Sequence, residues 1–164
     1  MNGLKLSDMP EALQAVRTAP LFVMKLEVKP ILLVGATPGA FRRVGVVTGG
    51  AFAGERITGT ILDGGNDWQA VRQGGATTLD VRLMLKTDES ELITMTYAGI
   101  RHGSEEVLRR IDQGETVDPS SYYFRTNLRF ETASVRYAWL NNILAIGVGY
   151  RRSDGAIYSI FEVL

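Results

Sequence analysis

From residue 21 onward the chain reads as short apolar runs with a period near two, separated by glycine-bearing turns. The run LFVMKLEV comes first, and turns follow at GATPGA, TGGAFAG, DGGND, RQGG and KTDES. Between them lie RVGVV, RITGTIL, TLDVRLMLK and ELITMTYAGI, rich in β-branched and aliphatic residues that suit a pleated, half-buried surface. In TLDVRLMLK, Leu79, Val81, Leu83 and Leu85 share one face, while Thr78, Asp80, Arg82 and Lys86 share the other. One helix interrupts the strands over residues 104–113: Ser104 caps it, Glu105 and Glu106 suit its positive end, and Val107, Leu108 and Ile111 form its apolar stripe. Strands resume in YYFRTNLRFET, in RYAWLNNILAIGVGYR and in AIYSIFEV.

The first nineteen residues have a different texture. Asp8 and Glu11 have capping-box spacing, and EALQAVR then predicts a short helix ended before Pro20. The chain therefore divides into an N-terminal helical extension (1–19) and a single β domain (20–164). Eight to ten antiparallel strands with one crossing helix predict an all-β fold closed, or nearly closed, into a barrel with a ligand-sized interior, because closure removes exposed edges.

Charge and composition narrow the function. Eighteen Lys and Arg cancel eighteen Asp and Glu, so no global field favours nucleic acid or an anionic membrane. The apolar run over 21–36 is broken by Lys25, Glu27, Lys29 and Pro30, which suits neither a bilayer span nor a signal peptide, so a cytoplasmic location is expected. There is no cysteine, which excludes disulfides, thiolate catalysis and thiolate metal sites. His102 is the only histidine; it lies just before a helix N-terminus, where an imidazolium is disfavoured, and no GxSxG elbow accompanies it. The GVG at 147–149 has no following helix and is no dinucleotide fingerprint. Neither metal nor cofactor is expected.

Several segments in order carry a family resemblance: TGGAFAGERITGTILDGGNDWQ (48–69), LDVRL (79–83), GIRHG (99–103), DPSSYYFRTNLRFET (118–132) and YAWLNNILAIGVGYR (137–151). Together they resemble the bacterial and fungal family called domain of unknown function 3237, over about nine-tenths of the chain. The resemblance implies a compact antiparallel β-barrel of calycin- or streptavidin-like kind. Two features depart from the family pattern: Leu128 stands where the family usually carries proline, and the N-terminal extension is not constant.

The candidate chemistry lies in these same segments. In DGGNDWQ, Asp67 beside Trp68 is a carboxylate against an apolar wall, the setting that raises a carboxyl pKa towards general-base use; the plainer reading is a turn-former beside a core ring. In YYFRTNLRFET, Tyr123, Arg125, Asn127, Arg129 and Glu131 share a polar face, and Tyr122, Phe124, Thr126, Leu128 and Phe130 share the opposite one. Either the arginine face is solvated and paired with Glu131, or it lines a ligand-facing interior; alternation alone does not orient the strand. Asp80, Tyr97, Arg101, Trp139 and Asn141 pose the same choice. With the polar faces inward, Asp67, Tyr123 and Arg125 would be catalytic. Trp68, Asp80, Tyr97, Arg101, Arg129, Glu131, Trp139 and Asn141 would then contact substrate. Such a carboxylate–tyrosine–arginine set moves protons and stabilises an enolate without a cofactor. The expected function is a cofactor-independent isomerase, lyase or hydratase, or lactone hydrolase, acting on an aromatic or polyketide-like small molecule. Its rivals are a non-catalytic carrier barrel for a hydrophobic ligand and an interaction protein docking through the N-terminal segment. Homodimerisation is compatible with either.

Overall fold

The computed structural model describes residues 4–164. Its strands are β1 (Thr18–Val28), β2 (Leu32–Ala36), β3 (Phe41–Ala53), β4 (Thr58–Ile61), β5 (Gly65–Val71), β6 (Thr77–Thr87), β7 (Leu92–Gly103), β8 (Tyr122–Glu131), β9 (Ala145–Arg152) and β10 (Gly155–Val163). They form one antiparallel sheet in the order β1-β10-β9-β8-β7-β6-β4-β3, and β3 pairs back onto β1 to close a barrel of eight strand positions. Two positions along β3 are shared. β4 and β5 follow one another between β3 and β6, broken at residues 62–64, and β2 continues past β1 on the opposite edge of β3.

Alternation sets what points inward. On β6, Leu79, Val81, Leu83 and Leu85 are buried, while Asp80, Arg82, Met84 and Lys86 face out. The inward positions of the other strands supply Met24, Val47, Ile93, Met95, Phe124, Leu128, Tyr158 and Ile160, all but fully buried. An eight-stranded barrel is just wide enough for side chains to fill it. The interior is accordingly a packed core with a small cavity towards one end, where a ligand-sized chamber was expected. GVG is explained by the same packing. Gly147 and Gly149 are inward positions of β9, and any Cβ there would run into Thr126 and the Phe124 ring on β8.

The helix α1 (Glu105–Asp112) forms where the sequence places it. The Ser104 hydroxyl accepts from the Val107 N–H at 3.4 Å, and Gly114 at φ +81 lies just past its end. The expected N-terminal helix does not form. Residues 4–17 contain only two single 3-10 turns, Leu6–Asp8 and Glu11–Leu13, and β1 already begins at Thr18 by pairing with Val163. A short helix holds in water only by burying one face, and every residue from 4 to 18 is exposed. Deleting residues 1–16 is therefore expected to change the stability by no more than a surface substitution does, about 0.5 kcal/mol or less, and to leave the melting temperature nearly unmoved. A collapse of the thermal transition would mean that this segment holds the barrel together.

Candidate active site

Strand β5 delivers the central carboxyl. Gly64, at φ +104, makes the turn that restarts the strand after the break, a conformation few other residues adopt. From Gly65 onward β5 is unbroken, with Asp67 opposite Gly45 and Trp68 opposite Val44 on β3. Parity then sends Asp67 and Gln69 into the barrel and leaves Trp68 outside, 58% exposed. Trp68 is thus corrected from pocket wall to outer-face residue, because no bulge falls between it and Asp67.

Asp67 borders a cavity of about 40 Å³ shared with Gln69, Arg101, Arg151, Tyr158 and Phe124, and floored by Leu26, Val47 and Leu79. Val28 and Ile31 flank it where β1 gives way to β2. Larger hollows elsewhere lie on the outside of the sheet, lined by residues such as Thr94, Arg129 and Glu131, away from any buried titratable carboxyl. The small interior cavity is where the chemistry concentrates.

Its hydrogen bonds have a direction. Arg43 Nε donates to Gln69 Oε1 at 2.7 Å, so the other end of that amide, Nε2, donates to Asp67 Oδ2 at 2.6 Å. Asp67 Oδ1 is buried and has no partner among the described residues. Oδ2 is thus held as an acceptor, and a proton on this carboxyl belongs on Oδ1, the oxygen free to exchange it. Burial pushes the Asp67 carboxyl up from 3.8 to about 6, against the lowering effect of the Gln69 bond and of Arg101, Arg43 and Arg151. Tyr97 and Tyr158 share a hydrogen bond of 3.4 Å between their hydroxyls. Burial, with the Asp67 charge adding to it, holds both phenols well above their ordinary range, so they serve as hydroxyl donors and not as bases.

Arg101 is the other buried charge. It is 5% exposed, lies 5.8 Å over the Phe124 ring, and reaches Asp112 of α1 at only 3.8 Å. Its Nε has no partner among the described residues. Burial, then the Arg43 charge, lowers its pKa, while Asp112 opposes the shift; a guanidinium still stays charged at neutral pH. Arg151 is held at the cavity rim, its backbone N–H donating to the Tyr122 hydroxyl at 2.9 Å.

Asp67, Tyr97 and Arg101 are therefore brought together inside the barrel, whereas Asp80 with Arg129, and Arg129 with Glu131 and Asn141, meet only at hollows on its outer face. On β8 the apolar face turns inward, burying Tyr122, Phe124, Thr126, Leu128 and Phe130. Burial of two phenylalanines and a leucine outweighs any alternative, so Tyr123, Arg125, Arg129 and Glu131 point outward. Tyr123 stacks on His102 outside the barrel, with Arg125 over its ring at 5.1 Å. Asp80 faces out on β6. Trp139 and Asn141 lie in a 3-10 turn, Ala138–Asn142, beyond the far end of β8. There Asn141 clamps the Thr132 backbone by two bonds of 2.8 and 3.0 Å, and Arg56 covers Trp139 at 3.6 Å.

Arg43, Gln69, Arg151 and Tyr158 were not read from the sequence. Each carries a signal of the same kind, a polar side chain in phase with inward positions: Arg43 two before Gly45, Gln69 two after Asp67, Arg151 two after Gly149, Tyr158 between Ala156 and Ile160. Among the described residues no three His, Asp or Glu side chains are grouped as a metal ion would need. No helix there is long and apolar enough to cross a membrane.

Comparison with known proteins places these features in a family. The model of a family of proteins of unknown function, DUF3237, matches residues 16–163. A UPF0311 protein of Rhodopseudomonas palustris is 32% identical over 149 residues, covering 91% of this chain and 97% of its own. Its crystal structure, described as a conserved protein of unknown function, aligns with a TM-score of 0.89 over 92% of this chain and 99% of that one. A β-barrel-like protein from Acinetobacter baumannii aligns at 0.80 with 36% identity, over 92% and 97% of the two chains. A structure described as an enzyme from Penicillium herquei aligns at 0.69 with 18% identity, over 91% and 95%, a likeness of fold.

Proposed function

This chain belongs to the DUF3237 family of proteins of unknown function, and on that footing we propose that it is a cofactor-independent small-molecule enzyme working by proton transfer through Asp67. One observation carries the reading: a buried carboxyl, pushed up to about 6, with one oxygen tied to Gln69 and the other free in a cavity. A catalytic acid or base works best with a pKa near the operating pH, since both protonation states are then within reach. As the carboxylate, Asp67 takes a proton from an acidic carbon or hydroxyl through Oδ1; as the acid, it returns one. Arg101 and Arg151 supply positive potential where an enolate or alkoxide develops, and the Tyr158 hydroxyl is available as a donor. These groups suit isomerisation, elimination or hydration, or lactone opening. Of these, enolisation asks least of them, because it needs only one base and one stabilised oxyanion.

A volume of about 40 Å³ holds a few waters at most, at roughly 10–15 Å³ for each. A larger aromatic or polyketide-like substrate would thus place only its reacting group beside Asp67. The same volume weighs against a carrier that encloses a hydrophobic ligand. The test is hydrogen exchange. In heavy water, wild-type protein should load deuterium onto the α-carbon of members of a panel of aromatic ketones and β-keto lactones. Asp67→Asn should slow this by about a hundred- to ten-thousand-fold. Absence of exchange above background across the panel would favour the carrier, and undiminished exchange in the variant would take the chemistry away from Asp67.

A further inference from the structure

The arginines around Asp67 are more numerous than the acids that could neutralise them. Arg43, Arg101 and Arg151 all act on the Asp67 carboxyl, whereas among the described residues Asp112 is the one other carboxylate paired with any of them. Asp112 is 53% exposed and is engaged by Arg43 at 3.2 Å, so solvent and a competing partner weaken its hold on Arg101. Arg101 is left as a desolvated cation with an unused Nε–H and no close ion pair. A buried donor without an acceptor is costly, and a charged one more so. A guanidinium edge of Nε–H and Nη–H matches two oxygens of a carboxylate, or one oxygen shared between them.

We propose that the cavity is an organic-anion site, in which a carboxylate or enolate oxygen of the ligand seats on Arg101 and Arg151, and that binding there is coupled to proton uptake by Asp67. This deepens the proton-transfer reading above and rests on the same site: an enolate facing protonated Asp67 is the state that proton abstraction leaves behind, and a bound carboxylate imitates it. The coupling follows from proximity. An anion on these arginines adjoins Asp67, and two negative groups in one desolvated cavity repel, so the anion takes the form in which Asp67 is protonated.

The groups around Asp67 support this. Gln69 on β5 and Arg43 on β3 bind or back Oδ2 only, which leaves Oδ1 to carry the proton. β7 contributes Tyr97 and Arg101, β9 Arg151 and β10 Tyr158, while α1 brings Asp112 against the arginines. β8 contributes Phe124, and Tyr122 bonded to the Arg151 backbone. β1 and β6 contribute only Leu26, Val28 and Leu79. The neutral phenols and the arginines all tolerate an incoming anion. Only ionised Asp67 directly opposes it.

The probes are benzoate and the smaller acetate, with benzamide and acetamide as uncharged controls, followed by NMR of the intact protein, including the Arg101 Nε–H. The acids should bind and shift that resonance, and the amides should not. With Asp67 titrating at about 6, the apparent dissociation constant should rise on the order of a hundred-fold from about pH 5.5 to about pH 8. Asp67→Asn should bind benzoate with little pH dependence. Arg151→Gln, at the rim, should weaken binding at least about tenfold, and Arg101→Gln more, given its unused donor. Amides that bind as well as acids, acids that do not bind, or full affinity in Arg151→Gln would overturn the anion site. A pH dependence that persists in Asp67→Asn would overturn the coupling. Anion binding without deuterium exchange would leave this site standing and remove the catalytic reading; exchange without anion binding would do the reverse.

Discussion

Asp67→Asn is expected to do two things at once: lower turnover by about a hundred- to ten-thousand-fold and stabilise the barrel above about pH 6. The second effect follows from linkage. The carboxyl titrates at about 6 in the folded protein against an ordinary 3.8, so the folded state binds the proton more tightly than the unfolded one. The stability contributed by that proton is complete below about pH 4 and is lost as pH rises through about 6. At pH 8 the ionised carboxylate thus costs the folded state up to about 3 kcal/mol. Asparagine can keep the bond from Gln69 on its carbonyl oxygen and place its amide where Oδ1 lies, with no charge to bury. Urea denaturation of both proteins at pH 5 and pH 8 checks this: the variant should gain stability relative to wild type as pH rises. Equal loss of stability at both values would mean that folding does not raise the Asp67 titration, and would make Asp67 a structural residue.

The second large effect is expected at Phe124, which is 1% exposed beneath Arg101 and makes an edge contact with Tyr158 at 5.3 Å between ring centroids. Truncation to alanine should destabilise by about 3–5 kcal/mol, as for other buried aromatics. The ring also lies directly across Gly149, where a Cβ would collide with it. Gly149→Ala alone should cost about 1–3 kcal/mol through overpacking. In the Phe124→Ala background the same methyl enters vacated space, so the two losses should fall well short of adding. Strictly additive losses in denaturant titrations would mean that Gly149 is required for some reason other than the ring.

What was legible in the sequence, and what was not, divides along physical lines. β6 could be read outright because one of its faces is wholly aliphatic and the other carries charge, leaving a single way to bury it. α1 could be read from Ser104 and its two glutamates, since a cap acts locally. The N-terminal segment misled because EALQAVR has good helix propensity, whereas short helices persist through packing, and nothing packs on this one. The site was half legible. Asp67 stood out through its neighbours in sequence, yet Trp68, which helped mark it, belongs to the opposite face of β5. On β8 the polar face drew attention to Tyr123 and Arg125, but Phe124, Leu128 and Phe130 decide the orientation. Arg151 and Tyr158 lie more than eighty residues from Asp67, and only closure of the barrel carries them to it. Arg43 and Gln69 act through a side-chain relay that depends on the register of β3 with β5, which no local pattern encodes.

The account turns on one carboxyl, and its titration can be observed directly. With aspartate labelled at the carboxyl carbon, and Asp67 assigned by its loss in Asp67→Asn, a pH series by carbon NMR reports its midpoint. A midpoint near 6 for Asp67 is the predicted result. A midpoint at the ordinary 3.8 would contradict the reading of Asp67 as a buried acid–base group, and with it the proton-transfer function and the coupling to anion binding.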